Sequence, residues 1–128
     1  MQAPPSDLRT FVQGENNSLL FYEGLAKAQN ASEHEKEQAS VILENKRQSV
    51  QRLLNFHRQV AGNFAPENAE VSEVEDFRSG VSFALMQESR LLKEAAGIYA
   101  GLKDAGQQQF MNSVMHNKVA DIAQLISL

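Results

Sequence analysis

The sequence predicts an all-α protein, an antiparallel four-helix bundle. Three observations lead there. Apolar residues recur at helical spacing in four long segments, and no segment alternates with period two. Turn formers are few: 7 glycines and 3 prolines in 128 residues, with Pro4-Pro5 at the start and Pro66 near the middle. Four amphipathic helices of about 20–30 residues bury their stripes most simply against one another.

The first helix is expected to begin near Ser6 or Asp7, a fair N-cap just after the prolines, and to end near Gln29-Asn30. Its stripe is Leu8, Phe11, Val12, Ser18, Leu19, Tyr22, Leu25 and Ala26. The second starts around Ser32, where Ser32 and Glu35 have the spacing of a capping box. Its stripe is Ala39, Ile42, Leu43, Val50, Leu53, Leu54, Phe56 and Val60, and Gly62 stops it. Residues 62–71 read as a linker between halves. At about 3.3 Å per residue such a linker spans about 30 Å, enough to cross much of a bundle's length. The third helix is expected from Ser72, with Glu73 and Glu75 in its first turn. Its stripe is Phe77, Val81, Ala84, Leu85, Leu91, Leu92, Ala95, Tyr99 and Leu102. A turn at Ala105-Gly106 leads to the fourth, carrying Phe110, Met111, Val114, Ile122, Leu125 and Leu128.

The halves resemble each other. Phe21-Tyr22-Glu23-Gly24-Leu25 parallels Ile98-Tyr99-Ala100-Gly101-Leu102, Asn45-Lys46 parallels Asn117-Lys118, and Leu53 parallels Leu125. Each half is therefore read as a helical hairpin. Two such units make a bundle, not a solenoid.

Composition narrows the function. Hydrophobic residues are 42% and charged residues 22%, the balance of one folded domain spanning 1–128. A net charge of -4 argues against a nucleic-acid partner. Cysteine is absent, which excludes disulfides, thiolate metal sites and a Cys nucleophile. The N-terminus lacks a charged region followed by an apolar run, and no stretch approaches the ~20 apolar residues of a membrane span. The cytoplasm is the expected location, with no membrane partner. There is no Gly-rich phosphate loop and no nucleophile elbow. Ser49, Ser89 and Ser113 have no base at a recognisable spacing. Lys46, Arg47, Arg52 and Arg58 make helix two locally basic, without the stacking aromatics a nucleic acid needs.

The informative residues are charges on apolar stripes. Glu15 lies four after Phe11 and seven before Tyr22. Lys46 lies four after Ile42 and seven before Leu53, with Ser49 three residues on. Glu88 lies seven after Val81 and seven before Ala95. Lys118 lies four after Val114 and seven before Leu125, with Asp121 three residues on. Any one of these could snorkel from a stripe margin to water. Every helix carrying one at comparable depth points instead to convergence inside the bundle.

With these residues the chain resembles the ferritin-like superfamily, specifically small rubrerythrin-like proteins, from about Leu8 onward. The family pattern of a ligand Glu seven before the Tyr of a Phe-Tyr step is matched by Glu15 with Phe21-Tyr22. The frame of the family's helix two, Asp-Glu-x-x-His followed by an apolar run, is matched in spacing by Asn45-Lys46-Arg47-Gln48-Ser49 and Leu53 to Gly62. Helices three and four repeat it around Tyr99 and Asn117-Lys118. The resemblance implies a bundle that holds two metal ions with a Glu from two helices and a Glu-x-x-His from each of the others. This chain departs from that set: Lys46 and Ser49 stand at one Glu-x-x-His, Lys118 and Asp121 at the other. The helix-three position, seven before Tyr99, falls on Leu92, with Glu88 one turn earlier.

An ammonium has donors and no lone pair, so neither lysine ligates Fe(II) or Mn(II). Glu15, Lys46, Ser49, Glu88, Leu92, Lys118 and Asp121 are accordingly expected to be vestigial metal-site positions. The lysine charges would replace the cations against Glu15, Glu88 and Asp121. The expected function is a structural or interaction module, non-enzymatic and without cofactor. The alternative is an iron- or manganese-binding protein with a rearranged site at Glu15, Glu88, His116 and Asp121. A site built on His57 and His116 ranks below it. His34 reads as exposed and His57 as a packed or stripe-margin residue. A plain helical bundle unrelated to ferritins explains the stripes but not the repeat. Leu43, Val50 and Leu54, lying off the face of Ile42 and Leu53, motivate an expectation of a homodimer.

Overall fold

A computed structural model describes residues 5–71 and 74–128. The chain forms α1 (Pro5–Leu25), α2 (Glu33–Ala61), α3 (Phe77–Gly101) and α4 (Ala105–Ile126), with no strand among the described residues. No helix is long and apolar enough to cross a membrane among these residues.

Two apolar clusters set the topology. The first joins the start of α1 (Leu8, Phe11, Val12) to the end of α2 (Leu53, Phe56), the end of α3 (Leu91, Ala95, Ile98) and the start of α4 (Met111). The second joins the end of α1 (Tyr22, Leu25) to the start of α2 (Ala39, Ile42, Leu43), the start of α3 (Phe77, Ala84) and the end of α4 (Leu125). All helices that pack side by side are therefore antiparallel, while α2 and α3 run in the same direction and lie diagonally. The connection between them must return along the bundle.

It does so against α1. Gln13 grips the backbone of Glu67 twice, its Oε1 accepting from Glu67 N–H at 2.8 Å and its Nε2 donating to the Glu67 carbonyl at 2.9 Å. Asn16 Nδ2 donates to Asn68 Oδ1 at 2.6 Å. Further along, Val74 N–H donates to the Gly24 carbonyl at 3.3 Å. These side chains satisfy a connection that has no ladder of its own. The linker's non-helical backbone spans 62–71 and continues through 74–76 around the two undescribed positions.

The capping box of α2 is present: Ser32 Oγ accepts from Glu35 N–H and Glu35 Oε1 accepts from Ser32 N–H. At the other end Gly62 sits at φ 91, where a Cβ is disfavoured, and its carbonyl meets Nδ1 of the fully buried His57 at 2.8 Å. His57 is thus a packed core residue.

Three boundaries and the facing of one residue differ from the sequence expectation. Helix α1 ends at Leu25, and residues 26–30 turn toward α2. Helix α3 starts at Phe77. Glu75 precedes it, while Ser72 and Glu73 lie outside the described residues. The reason is tertiary: Asn30 Oδ1 accepts from Phe77 N–H at 2.7 Å, and its Nδ2 donates to Asp76 Oδ1 at 3.0 Å, so a residue of the α1–α2 turn caps α3. Helix α4 already includes Ala105-Gly106, because Asp104 Oδ1 accepts from Gln107 N–H and starts the helix two residues earlier. Tyr99 faces outward, 37% exposed.

Leu43 and Val50 are buried within the chain, and Leu54 packs half-buried against the first cluster. The residues that suggested a homodimer are covered by the bundle itself.

Candidate functional site

Between the two apolar clusters, at mid-height, each helix contributes one fully buried charge: Glu15 from α1, Lys46 from α2, Glu88 from α3 and Lys118 from α4. The helical stripes put them at one level, since each occupies the stripe position between residues of the lower and upper clusters. Lys46 Nζ pairs with Glu15 Oε2 and, at 2.7 Å, with Glu88 Oε1. Lys118 Nζ pairs with Glu15 Oε1 and, at 3.1 Å, with Glu88 Oε2. Each carboxylate therefore bridges the two ammonium groups, one oxygen to each. That is a closed ring of four charges with alternating sign.

Three residues that the sequence did not place in the site complete it. Ser18 Oγ, one turn from Glu15 on α1, donates to Glu88 Oε1 at 2.7 Å. The Tyr22 ring lies 5.8 Å from Lys46 Nζ, and the Phe11 ring lies 5.9 Å from Lys118 Nζ, so each ammonium also faces an aromatic ring. Ser18 was legible as a polar residue on the buried stripe. The ring contacts depend on helix phase to within a few degrees and were not.

The electrostatics follow from the ring. Burial acts against the Lys46 ammonium, but Glu15 and Glu88 outweigh it and raise its pKa above the ordinary lysine value. Burial likewise pushes Glu88 up, while Lys46 and Lys118, with the hydrogen bonds from Lys46 and Ser18, bring it down to about 2. Tyr22 is shifted upward, first by burial and then by Glu88, so its hydroxyl stays protonated.

Asp121 stands apart. It is 9% exposed and near the ring, yet it makes no hydrogen bond or salt bridge among the described residues. Burial raises its pKa to about 6; Lys46 and Lys118 pull it down, and Glu88 and Glu15 push it up. The folded value lies above the 3.8 of an unperturbed aspartate, so the folded state holds the extra proton between those values. Its stability therefore falls as pH rises through about 6. Unfolding in urea should show a gain of about 1 kcal/mol from pH 7 to pH 5 that Asp121→Asn removes. Below the ordinary glutamate range the sign reverses, because Glu88 contributes stability above its unfolded value that is lost as it protonates.

The positions expected from the sequence divide as follows. Glu15, Lys46, Glu88 and Lys118 form the ring; Ser49 and Asp121 line a cavity beside it. Leu92 is half-buried and takes no part, the neighbouring turn's Glu88 holding that place. Glu15 and Glu88 lie 73 residues apart and Lys46 and Lys118 72, but Tyr22 and Tyr99 lie 77 apart. Anchoring helix three on Tyr99 slipped it by one turn. Ala95, not Tyr99, is the spatial counterpart of Tyr22.

His116 is exposed on α4, so the set Glu15, Glu88, His116 and Asp121 does not assemble. His34 is exposed as well. Among the described residues no group of three or more His, Cys, Asp or Glu side chains could hold a metal ion. The ring itself does not fit one: both carboxylates are engaged by ammonium groups that fill the space between them.

Protein-family models, curated proteins and solved structures provide no match to this chain. The fold and the site define a class on their own terms: a four-helix bundle whose centre is a buried lysine–glutamate ring.

Proposed function

We propose that the protein is a metal-free counterpart of rubrerythrin-like, ferritin-like bundles, with a structural or interaction role and no catalytic centre. The observation that carries this reading is the ring. Two ammonium groups lie between two bridging carboxylates, one from each helix, which is the arrangement two metal cations take in a di-metal carboxylate bundle. The single crossover between the two hairpins also accords with that class. Exposed apolar side chains support an interaction role: Phe83 and Met86 on α3, Val119 and Ile126 on α4. The setting we propose is the cytoplasm, and a homodimer is one form such an interaction would take.

Elemental analysis after anaerobic loading with Fe(II), and in parallel Mn(II), tests the reading. The expected result is no stoichiometric metal, because lysine cannot ligate and carboxylates bound to ammonium are not free to. About one tightly held ion per chain would overturn it and revive the iron or manganese alternative.

A further inference from the structure

The buried charges at the centre do not balance. Lys46 and Lys118 are spent on Glu15 and Glu88, which leaves the Asp121 carboxylate without a counter-charge of its own. Arg52 stands at the same cavity but is exposed, where water and salt screen it. An ionised carboxylate left this way in a buried site is costly unless something pairs with it.

What Asp121 faces is a cavity of about 130 Å³ between α2 and α4. These are the neighbouring helices that touch least. One water fills about 10–15 Å³ of such a volume, so the space suits a ligand of several heavy atoms rather than a bare ion. Its inner end is formed by Glu15, Lys46 and Lys118 of the ring, where each ammonium is already held by two carboxylates, and the remaining walls are of two kinds. Ser49, Ser113 and Asn117 add side-chain oxygens, and Leu53, Phe110 and Val114 form an apolar side. A groove along the α2–α4 seam, lined by Asn45, Gln48 and Gln124, shares Ser49, Asn117 and Asp121 with the cavity and opens it to solvent.

We propose that this cavity binds a small primary ammonium compound, an alkylamine or arylalkylamine, its –NH₃⁺ on Asp121 and its carbon portion against Leu53, Phe110 and Val114. A primary ammonium offers three N–H donors, which the Asp121 carboxylate and the Ser and Asn oxygens can accept. A quaternary ammonium offers none. A carboxylate ligand would meet Asp121 as a like charge, and the lysines that could offset it are already paired with Glu15 and Glu88. A divalent cation would find one free carboxylate and an apolar wall. Burial has raised Asp121 only to about 6, so the carboxylate is ionised and available above neutral pH.

The inference rests on the metal-free centre, because metal ions would displace the lysines that balance Glu15 and Glu88. Isothermal titration of the full chain at pH 7.5 with n-butylammonium tests it, with n-butyrate and tetramethylammonium as controls and metal content measured on the same sample. Saturation at one site per chain by n-butylammonium alone is expected. Asp121→Asn should weaken it at least about tenfold, and Val114→Phe, which fills the cavity and keeps every charge, should weaken it as well. Binding of butyrate in place of the amine would overturn the proposal, as would equal binding by Asp121→Asn or no binding at millimolar amine in metal-free protein. Metal found in the sample would instead be a failure of the functional reading above.

Discussion

Lys46→Met is expected to destabilise the bundle by about 3–5 kcal/mol, the cost of stranding a buried charge. The side chain is nearly isosteric, so packing changes little and the effect is electrostatic. Without Lys46, the carboxylates of Glu15 and Glu88 share one ammonium, Lys118, and Asp121 adds a third negative charge nearby. Removing a carboxylate at the same time restores the native net charge of the site. Lys46→Met with Glu15→Gln should recover most of the loss, because the remaining Lys118–Glu88 pair is intact and no charge beyond Asp121 is left unpaired. Chemical denaturation of the two single variants and the double variant yields the coupling energy, expected at several kcal/mol. Exposed ion pairs would give additive effects below about 1 kcal/mol, and that outcome would remove the ring as an energetic unit.

The second large effect is a gain. On the function proposed above, Glu15 and Glu88 take the place of the single carboxylates of a di-metal bundle, and Lys46, Ser49, Lys118 and Asp121 have the spacing of two Glu-x-x-His pairs. The variant Lys46→Glu, Ser49→His, Lys118→Glu, Asp121→His should therefore bind about two divalent ions per chain. Without metal it would gather four glutamates in one buried site and should not fold cooperatively at neutral pH. With Mn(II), Fe(II) or Zn(II) it should fold, and a chelator should unfold it. Circular dichroism melts with and without metal, alongside elemental analysis, read both halves of this expectation. A variant that folds metal-free and stays so would show that the ring does not share di-metal geometry, and the likeness to rubrerythrin-like proteins would lose its main support.

The two tests read different properties of the same four positions. The first asks whether the charges are energetically coupled as they are. The second asks whether the backbone beneath them is spaced to hold cations.

Much of this arrangement was legible in the chain because it depends on periodicity alone. Four stripes with period 3.6 define four helices, and a charge seven residues from apolar neighbours must face the same way they do. That local rule placed Glu15, Lys46, Glu88 and Lys118 inward, and the Ser32–Glu35 capping box located the start of α2. What tertiary structure decided is everything that needs two helices at once. Asn30, from another turn, caps α3 and moves its start to Phe77. The one-turn offset between halves, which puts Glu88 in the ring and leaves Leu92 out, arises from how far α3 slides along α1, and no residue within α3 encodes it. The lack of a partner for Asp121 is of the same kind, since both lysines pair with carboxylates from two other helices. A helix carries the direction of its side chains in its own sequence; their level relative to a neighbour is set only when the apolar surfaces of both close together.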